Sequence, residues 1–124
     1  MLGFFLEWNL KITYARSMLK ELSIGSSIGF SKPLNDNGIK KIRLYNVYGQ
    51  RYIGTNLRSK INLEVHGTPG NDLGAFMDGP EIIVYGNVQD CCGNTMNDGY
   101  IVVHGRAGDI TGYSMRGGKI FHQR

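Results

Sequence analysis

Cysteine is scarce in this sequence, whose 124 residues contain only the adjacent pair Cys91 and Cys92. Two neighbouring cysteines cannot build a long-range disulfide framework, which excludes the small disulfide-stapled secreted proteins and makes a reducing cytoplasm the expected compartment. Long apolar runs are lacking too. The apolar opening at residues 1–6 is interrupted by Glu7 and has neither a basic n-region nor a small-residue cleavage site. We therefore expect neither a signal peptide nor a membrane span.

Basic charge is in excess, but it is not clustered. The formal net charge is +4, and residues 1–60 hold ten Lys and Arg against three acids, whereas residues 61–124 hold four against seven. No basic cluster interleaved with aromatic residues occurs, so we expect no nucleic-acid partner. The hydrophobic content of 41% and the charged content of 19% are typical of one soluble globular domain.

Glycine, by contrast, is abundant, at 18 residues, and much of it belongs to an internal repeat. Three apolar segments, residues 63–67, 82–86 and 101–105, each end in glycine and recur every 19 residues. In each copy a second glycine follows seven residues later and a methionine three residues after that. The glycines are Gly74, Gly93 and Gly112, and the methionines are Met77, Met96 and Met115. An earlier, less regular copy covers residues 47–54 and has Leu57 in place of the methionine.

A unit of 19 residues is too short for a strand and a full crossover helix, so the repeat predicts a mainly β fold, a right-handed parallel β-helix. Each residue then stacks on its equivalent in the next coil, about 4.8 Å along the axis. Val65, Val84 and Val103 are expected to point inward together with the three methionines. Seven repeat glycines are expected at structural turns that need positive φ or a close approach of two backbones. They are Gly54, Gly67, Gly74, Gly86, Gly93, Gly105 and Gly112.

The first 40 residues do not follow the repeat and are predicted to form a small α/β cap on the coils of residues 41–124, within one domain. Residues 10–15 could form a strand, and Ser17 is a plausible N-cap for a helix that ends before Lys32-Pro33. Residues 35–38 read as a turn that leads into the first coil. Such a cap would cover the open edge of the coil.

Three stretches of the sequence resemble a known family: residues 46–55, 65–76 and 105–112. They are similar to the glycine-patterned GXGXG β-helix domain that ends the large (α) subunit of glutamate synthase, an enzyme of glutamate biosynthesis and ammonia assimilation. This resemblance implies a cytoplasmic, non-catalytic scaffold. Its expected partners are the other glutamate synthase subunits, the amidotransferase and FMN-binding synthase parts of an oxidoreductase complex. It carries over no catalytic residue, cofactor site or metal ligand.

Two other functions stay open at this point. The coils also resemble those of the β-helical subunit of formylmethanofuran dehydrogenase, which would make the chain a scaffold of a different complex. A third possibility is a small enzyme acting at Cys91 and Asp90. Neither cysteine has a base partner in the sequence pattern, however, and Asp90 stacks with Asn71 and Asp109 at a ladder position that favours solvation.

Two further site hypotheses are weak. His66 and His104 occupy the same repeat position but are separated by two coils, about 9.6 Å, which is too far for a shared zinc ion. The glycine-rich segment of residues 105–112 lacks the Gly-Lys-Ser/Thr ending or the strand–helix junction of a phosphate loop.

Self-association is also expected. No segment resembling the cap follows Ile120 and Phe121, so the backbone groups and the core at that end of the coil are expected to face solvent. Pairing of two copies across a two-fold axis would cover both ends at once. Ile120 and Phe121 are the predicted contact residues of such a homo-oligomer.

Overall fold

The computed structural model describes residues 41–58 and 60–123, together with three short strands before them. The strands, in chain order, are β1 (Lys11–Tyr14), β2 (Ser23–Ile24), β3 (Ile28–Gly29), β4 (Lys41–Tyr48), β5 (Asn62–Thr68), β6 (Asp78–Tyr85), β7 (Asp98–Arg106) and β8 (Lys119–Gln123). Five of them, β4 to β8, pair in sequence order and in parallel. The described part of the chain contains no helix, and the coils form a β-solenoid of about four turns.

The register of the strands follows the sequence repeat. Leu63 pairs with Ile82, Ile82 with Ile101, and Ile101 with Ile120, a step of 19 residues each time. Parallel strands normally require a crossover of a dozen or more residues. Here the crossover is the rest of the coil, so each strand adds directly above the previous one. The predicted parallel β-helix with 19-residue coils is confirmed.

In the core, side chains of the same type stack on one another from coil to coil. Along each strand, alternate residues point inward because successive side chains lie on opposite faces of a sheet. Val65 and Val84 are fully buried and Val103 is 3% exposed. Met77 and Met96 fill the opposite side of the coil and are also fully buried, whereas Met115 in the last turn packs against the core while partly exposed. These positions agree with the predicted inward ladders.

Each coil reverses direction through two overlapping four-residue turns. In one coil the N–H of Ala75 donates to the carbonyl of Asp72, and the N–H of Met77 donates to that of Gly74. The third residue of such a turn has positive φ, and Gly74 has a φ of 67°. The next turn places Phe76 at a φ of 61°.

Non-glycine residues take left-handed conformations at several equivalent positions, including Asp72, Cys91 and Ile110. The strain of that conformation is offset by hydrogen bonds between coils. The N–H of Asp72 donates to the carbonyl of Asp90 over 3.1 Å, and the N–H of Phe76 donates to that of Asn94 over 2.9 Å. Stacking of identical turns therefore satisfies backbone groups that a single turn would leave to solvent.

The first coil contains an irregularity that the repeat did not locate. Its strand residues pair as Leu44 with Val65, but Val47 then pairs with Gly67. One extra residue, Asn46, therefore forms a bulge, and its φ is 59°. The residues paired with 63–65 are residues 42–44, which lie before the predicted copy at residues 47–54. Beyond the bulge the predicted copy agrees with the coils.

The N-terminal segment is described only at its three short strands. β1 pairs antiparallel with β4, so it lies on the edge of β4 opposite β5 and agrees with the strand predicted for residues 10–15. β2 and β3 pair antiparallel with each other. They occupy part of the stretch for which a helix was predicted, and that prediction is wrong there, because a Gly-Ser-Ser segment between two isoleucines favours a turn. The helix start at Ser17 and the turn at residues 35–38 lie outside the described residues.

Candidate docking face

The side chains of β4 to β8 that point away from the core form one face, here called the outer face. Strand pairing aligns them in three columns that run along the solenoid axis. The central column is Arg43, Glu64, Ile83, Val102 and Phe121. On one side lie Lys41, Asn62, Glu81, Tyr100 and Lys119, and on the other Tyr45, His66, Tyr85 and His104.

The last of these columns is a continuous stack of four rings. The centroids of Tyr45 and His66 are 4.7 Å apart, those of His66 and Tyr85 4.9 Å, and those of Tyr85 and His104 5.1 Å. The ring planes differ by 11°, 18° and 7°. The distance between the rings follows from the distance between neighbouring strands. Because each coil carries one ring at the same position, the strand spacing itself brings the rings to stacking distance.

The half of the outer face on β4 and β5 is polar and centred on Glu64. This carboxylate lies 2.7 Å from Nε2 of His66, 3.4 Å from Nζ of Lys41 and 3.6 Å from Nε of Arg43. The hydrogen bond with His66 lowers the pKa of Glu64, partial burial opposes it, and the two cations lower the pKa further. The carboxylate is therefore held ionised within a small network of charges.

On β6, β7 and β8 the central column is apolar and, with Tyr85 and Tyr100 beside it, is here called the apolar half, although the charged Glu81 and Lys119 lie in the same column as Tyr100. Ile83 and Val102 are half-buried, and Phe121 is 53% exposed. Tyr85 and Tyr100 flank this column with 46% and 45% exposure. Aromatic side chains around an aliphatic centre are typical of the parts of a surface that contribute most to protein association. The arrangement suits the docking of another protein surface.

The glycines predicted at turns serve two different purposes. Gly54, Gly74, Gly93 and Gly112 lie in the tight turns, with φ values between 67° and 73°. The other three lie where the backbones of successive coils approach closely. A Cβ on Gly67 would collide with the carbonyl of Val47, one on Gly86 with that of Gly67, and one on Gly105 with that of Gly86.

For two of these three glycines the predicted turn is wrong. Gly67 and Gly105 belong to β5 and β7, since the strand hydrogen bonds continue past them. Gly86 directly follows β6. At Gly67 and Gly105 the repeat requires glycine because a Cβ would collide with the backbone of the previous coil. No turn is involved at these two positions.

Cys91 is partly exposed and Cys92 is buried, and both are free thiols. Cys92 is fully buried, and burial raises its pKa to about 12. Loss of solvent also raises the pKa of Cys91, with Asp72 and Asp90 adding to the effect. A catalytic thiol requires the opposite shift, because the thiolate is the nucleophile.

The ladder of Asn71, Asp90 and Asp109 has a structural role. The N–H of Asp90 donates to Oδ1 of Asn71 over 3.1 Å, and the N–H of Asp109 donates to Oδ1 of Asp90 over 2.8 Å. Asn71 and Asp90 thus each accept a hydrogen bond from the backbone of the next coil. Oδ1 of Asp90 therefore helps to hold the next coil in register.

His66 and His104 are separated by the ring of Tyr85, which stacks on both, so they share no ion. Within the described residues, no group of three or more His, Cys, Asp or Glu side chains could hold a metal. Ile120 is partly buried against the core, whereas Phe121 is exposed on the outer face. Self-association through these two residues stays a prediction.

The repeat, its parallel register and its glycines match a known family. The sequence model of a protein family, described as the GXGXG motif, matches residues 35–124. The chain belongs to this family. It is the family of the C-terminal-like domain of the glutamate synthase α-subunit, as the resemblance of the sequence implied.

Other comparisons say less about this GXGXG protein. An uncharacterized protein of Methanocaldococcus jannaschii is 56% identical to it over 60 residues, which are 48% of this chain and 23% of that relative. The matched segment therefore spans less than a quarter of the relative's length. No solved structure matches. Among the described residues, no helix has the length and apolarity needed to cross a bilayer.

Proposed function

We propose that this chain is a non-catalytic scaffold of a glutamate synthase-type assembly in the cytoplasm. Its outer face packs against the amidotransferase and FMN-binding synthase parts and holds their arrangement. The observation that carries the proposal is the apolar half of the outer face, centred on Ile83, Val102 and Phe121, in a member of the GXGXG family.

Two features support docking over catalysis. The outward column changes from charged side chains on β4 and β5 to apolar ones on β6 to β8, although solvent-facing strand positions are usually polar. The thiol of Cys91, the nucleophile of the enzyme hypothesis, has a raised pKa, and Asp90 is bonded to the backbone of the next coil. The chemistry of a complex would then reside in its other parts.

Co-purification tests the proposal. The tagged chain, expressed in its native host and recovered under gentle conditions, should retain the amidotransferase and FMN-binding proteins. Val102→Glu, which places a charge in the middle of the apolar half, should abolish this recovery. Tyr113→Glu is the matched control, because Tyr113 is 60% exposed but lies in a turn away from the outer face.

Three outcomes would count against the proposal. Recovery of neither protein with the unchanged chain would contradict it, as would equal recovery with Val102→Glu once thermal unfolding has shown that this variant is folded. Recovery of molybdopterin proteins instead would favour the formylmethanofuran dehydrogenase alternative.

A further inference from the structure

The five strands β4 to β8 run parallel, and a parallel sheet is normally covered on both of its faces. The core covers the inner face. On the outer face, large side chains are open to solvent in the described part of the chain, since Tyr85 is 46% exposed, Tyr100 45% and Phe121 53%. The order of the side chains in the columns indicates which surface fits over them.

The apolar half is symmetric about its middle strand, β7. In the central column Val102 lies on β7, with Ile83 on β6 to one side and Phe121 on β8 to the other. In the column that contains Tyr100, opposite charges flank β7, with Glu81 on β6 and Lys119 on β8. Within the described residues, neither of these two charged side chains forms an ion pair. A face with this order of side chains is complementary to itself.

A two-fold axis along β7 brings the matching side chains together. It places β6 of one copy over β8 of the other, and β7 over itself. Each Glu81 then meets Lys119 of the second copy, and each Ile83 meets its Phe121. The polar strands β4 and β5 extend past β8 of the second copy and keep their charges in solvent. An axis along the solenoid would instead set Glu64 of one copy against Glu64 of the other, which like charge disfavours.

We propose that the apolar half of the outer face pairs with that of a second copy across a two-fold axis along β7. This contact differs from the end-to-end pairing predicted through Ile120 and Phe121, because it covers the face of the sheet and leaves the edge of β8 free. Three strands about 4.8 Å apart, with five residues of each, bury on the order of 500 Å² per copy, which is typical of weak interfaces. A partner with a larger complementary surface therefore displaces the second copy. The pairing does not rest on the proposed function.

Sedimentation equilibrium of the purified chain tests the pairing in the absence of any other protein. We expect a monomer–dimer equilibrium with a Kd on the order of 10 μM. Lys119→Glu sets carboxylates against each other at two symmetric points and should raise the Kd at least about tenfold. Glu81→Lys should do the same with ammonium groups. Arg58→Glu is the matched control, because it changes the net charge as Lys119→Glu does but is exposed in the first coil, away from the apolar half. It should leave the Kd unchanged.

The two charge reversals combined decide the arrangement. The double variant Glu81→Lys, Lys119→Glu has the natural net charge, and it restores opposite pairs only if each residue meets the other across the axis. Its Kd should return to within about threefold of the natural value. Thermal unfolding checks that every variant is folded.

Three outcomes would overturn the proposal. They are a natural chain that stays monomeric at tens of micromolar, a Lys119→Glu variant with the natural Kd, and a folded double variant that dimerises as weakly as the single ones. The first outcome would leave the apolar half to another protein, and the last would assign the dimer to the end of the coil.

Discussion

Substitution of a single turn glycine, Gly93→Ala, should destabilise the solenoid through two separable effects. Gly93 has a φ of 70°, a conformation that side chains with a Cβ rarely adopt. A Cβ at this position would also lie under 3.0 Å from Cδ1 of Ile120 in the next coil. The next contacts are ordinary, with Cγ1 of Ile120 at 3.4 Å and Cδ1 of Ile101 at 3.5 Å. One methyl group therefore accounts for the collision.

Ile120→Val deletes that methyl group and separates the two effects. A left-handed conformation costs a residue with a Cβ about 1–2 kcal/mol, and overpacking adds about 1–3 kcal/mol. Gly93→Ala should therefore lower the free energy of unfolding by about 2–5 kcal/mol in the natural background. In the Ile120→Val background only the conformational cost should remain, about 1–2 kcal/mol. The coupling energy between the two sites is then about 1–3 kcal/mol.

Urea denaturation of the four proteins of this double-mutant cycle measures the coupling. Gly112→Ala is the matched control, because its φ is 73° but a Cβ there would meet Sδ of Met115 at 3.0 Å and lie 3.8 Å from Cδ1 of Ile120. The cost of Gly112→Ala should be the same in both backgrounds. Equal costs of Gly93→Ala with and without Ile120→Val would refute the stacking of Ile120 over this turn.

Three further outcomes are expected. Because hydrogen bonding lowers the pKa of Glu64 in the folded state, its stabilisation is present at neutral pH and is lost progressively as the pH falls below the unfolded value of about 4.3; the thermal midpoint of Glu64→Gln should lie below that of the natural protein at pH 7 and approach it as the pH is lowered below that value, and a constant difference would contradict this. Alkylation followed by mass spectrometry should modify only Cys91 in the native protein, since burial keeps Cys92 protonated; modification of both thiols before unfolding would be inconsistent with the packing. Sedimentation should show an oligomer that Phe121→Asp dissociates, and a monomer at tens of micromolar, or an unchanged assembly in the variant, would end the self-association prediction.

The coil itself was predictable because its repeat determines both the strand register and the side chains that stack on one another. A 19-residue period fixes which residues stack, and stacking places like side chains in one column, so the inward positions of Val65, Val84 and Val103 followed directly. The same reasoning located four turn glycines, Gly54, Gly74, Gly93 and Gly112. These features depend on residues that recur, and recurrence is visible in a sequence.

The first coil and the non-glycine turn residues were not predictable. The bulge at Asn46 shifts the register by one residue at a point where the repeat is already irregular, so no spacing identifies it. Phe76 and Ile110 adopt positive φ, which side chains with a Cβ rarely do. The N–H of Phe76 donates to the carbonyl of Asn94 in the next coil, and the carbonyl of Ile110 accepts from the N–H of Tyr113 within its turn. Tertiary hydrogen bonding overrides local propensity at such positions.

The candidate docking face was only partly foreseen. The repeat placed His66 and His104 at one ladder position with Tyr85 between them, but it did not predict a stack of four rings that begins at Tyr45. Tyr45 escaped notice because it lies before the bulge and before residue 47, where the predicted first copy begins. Correct alignment of that coil would have supplied the fourth ring from sequence alone.

The outward columns are where the sequence is free to carry function, since neither the core nor the turns determine them. The inward residues remain aliphatic in every coil, as the core requires, while the central outward column passes from Arg43 and Glu64 to Ile83 and Val102. A solenoid needs polar residues at these positions for solubility, and β4 and β5 show that the fold accommodates them. The stacked apolar side chains on β6 to β8 also favour the strands that carry them, but β4 and β5 show that the coil does not require them. The proposed docking of a protein surface would account for them.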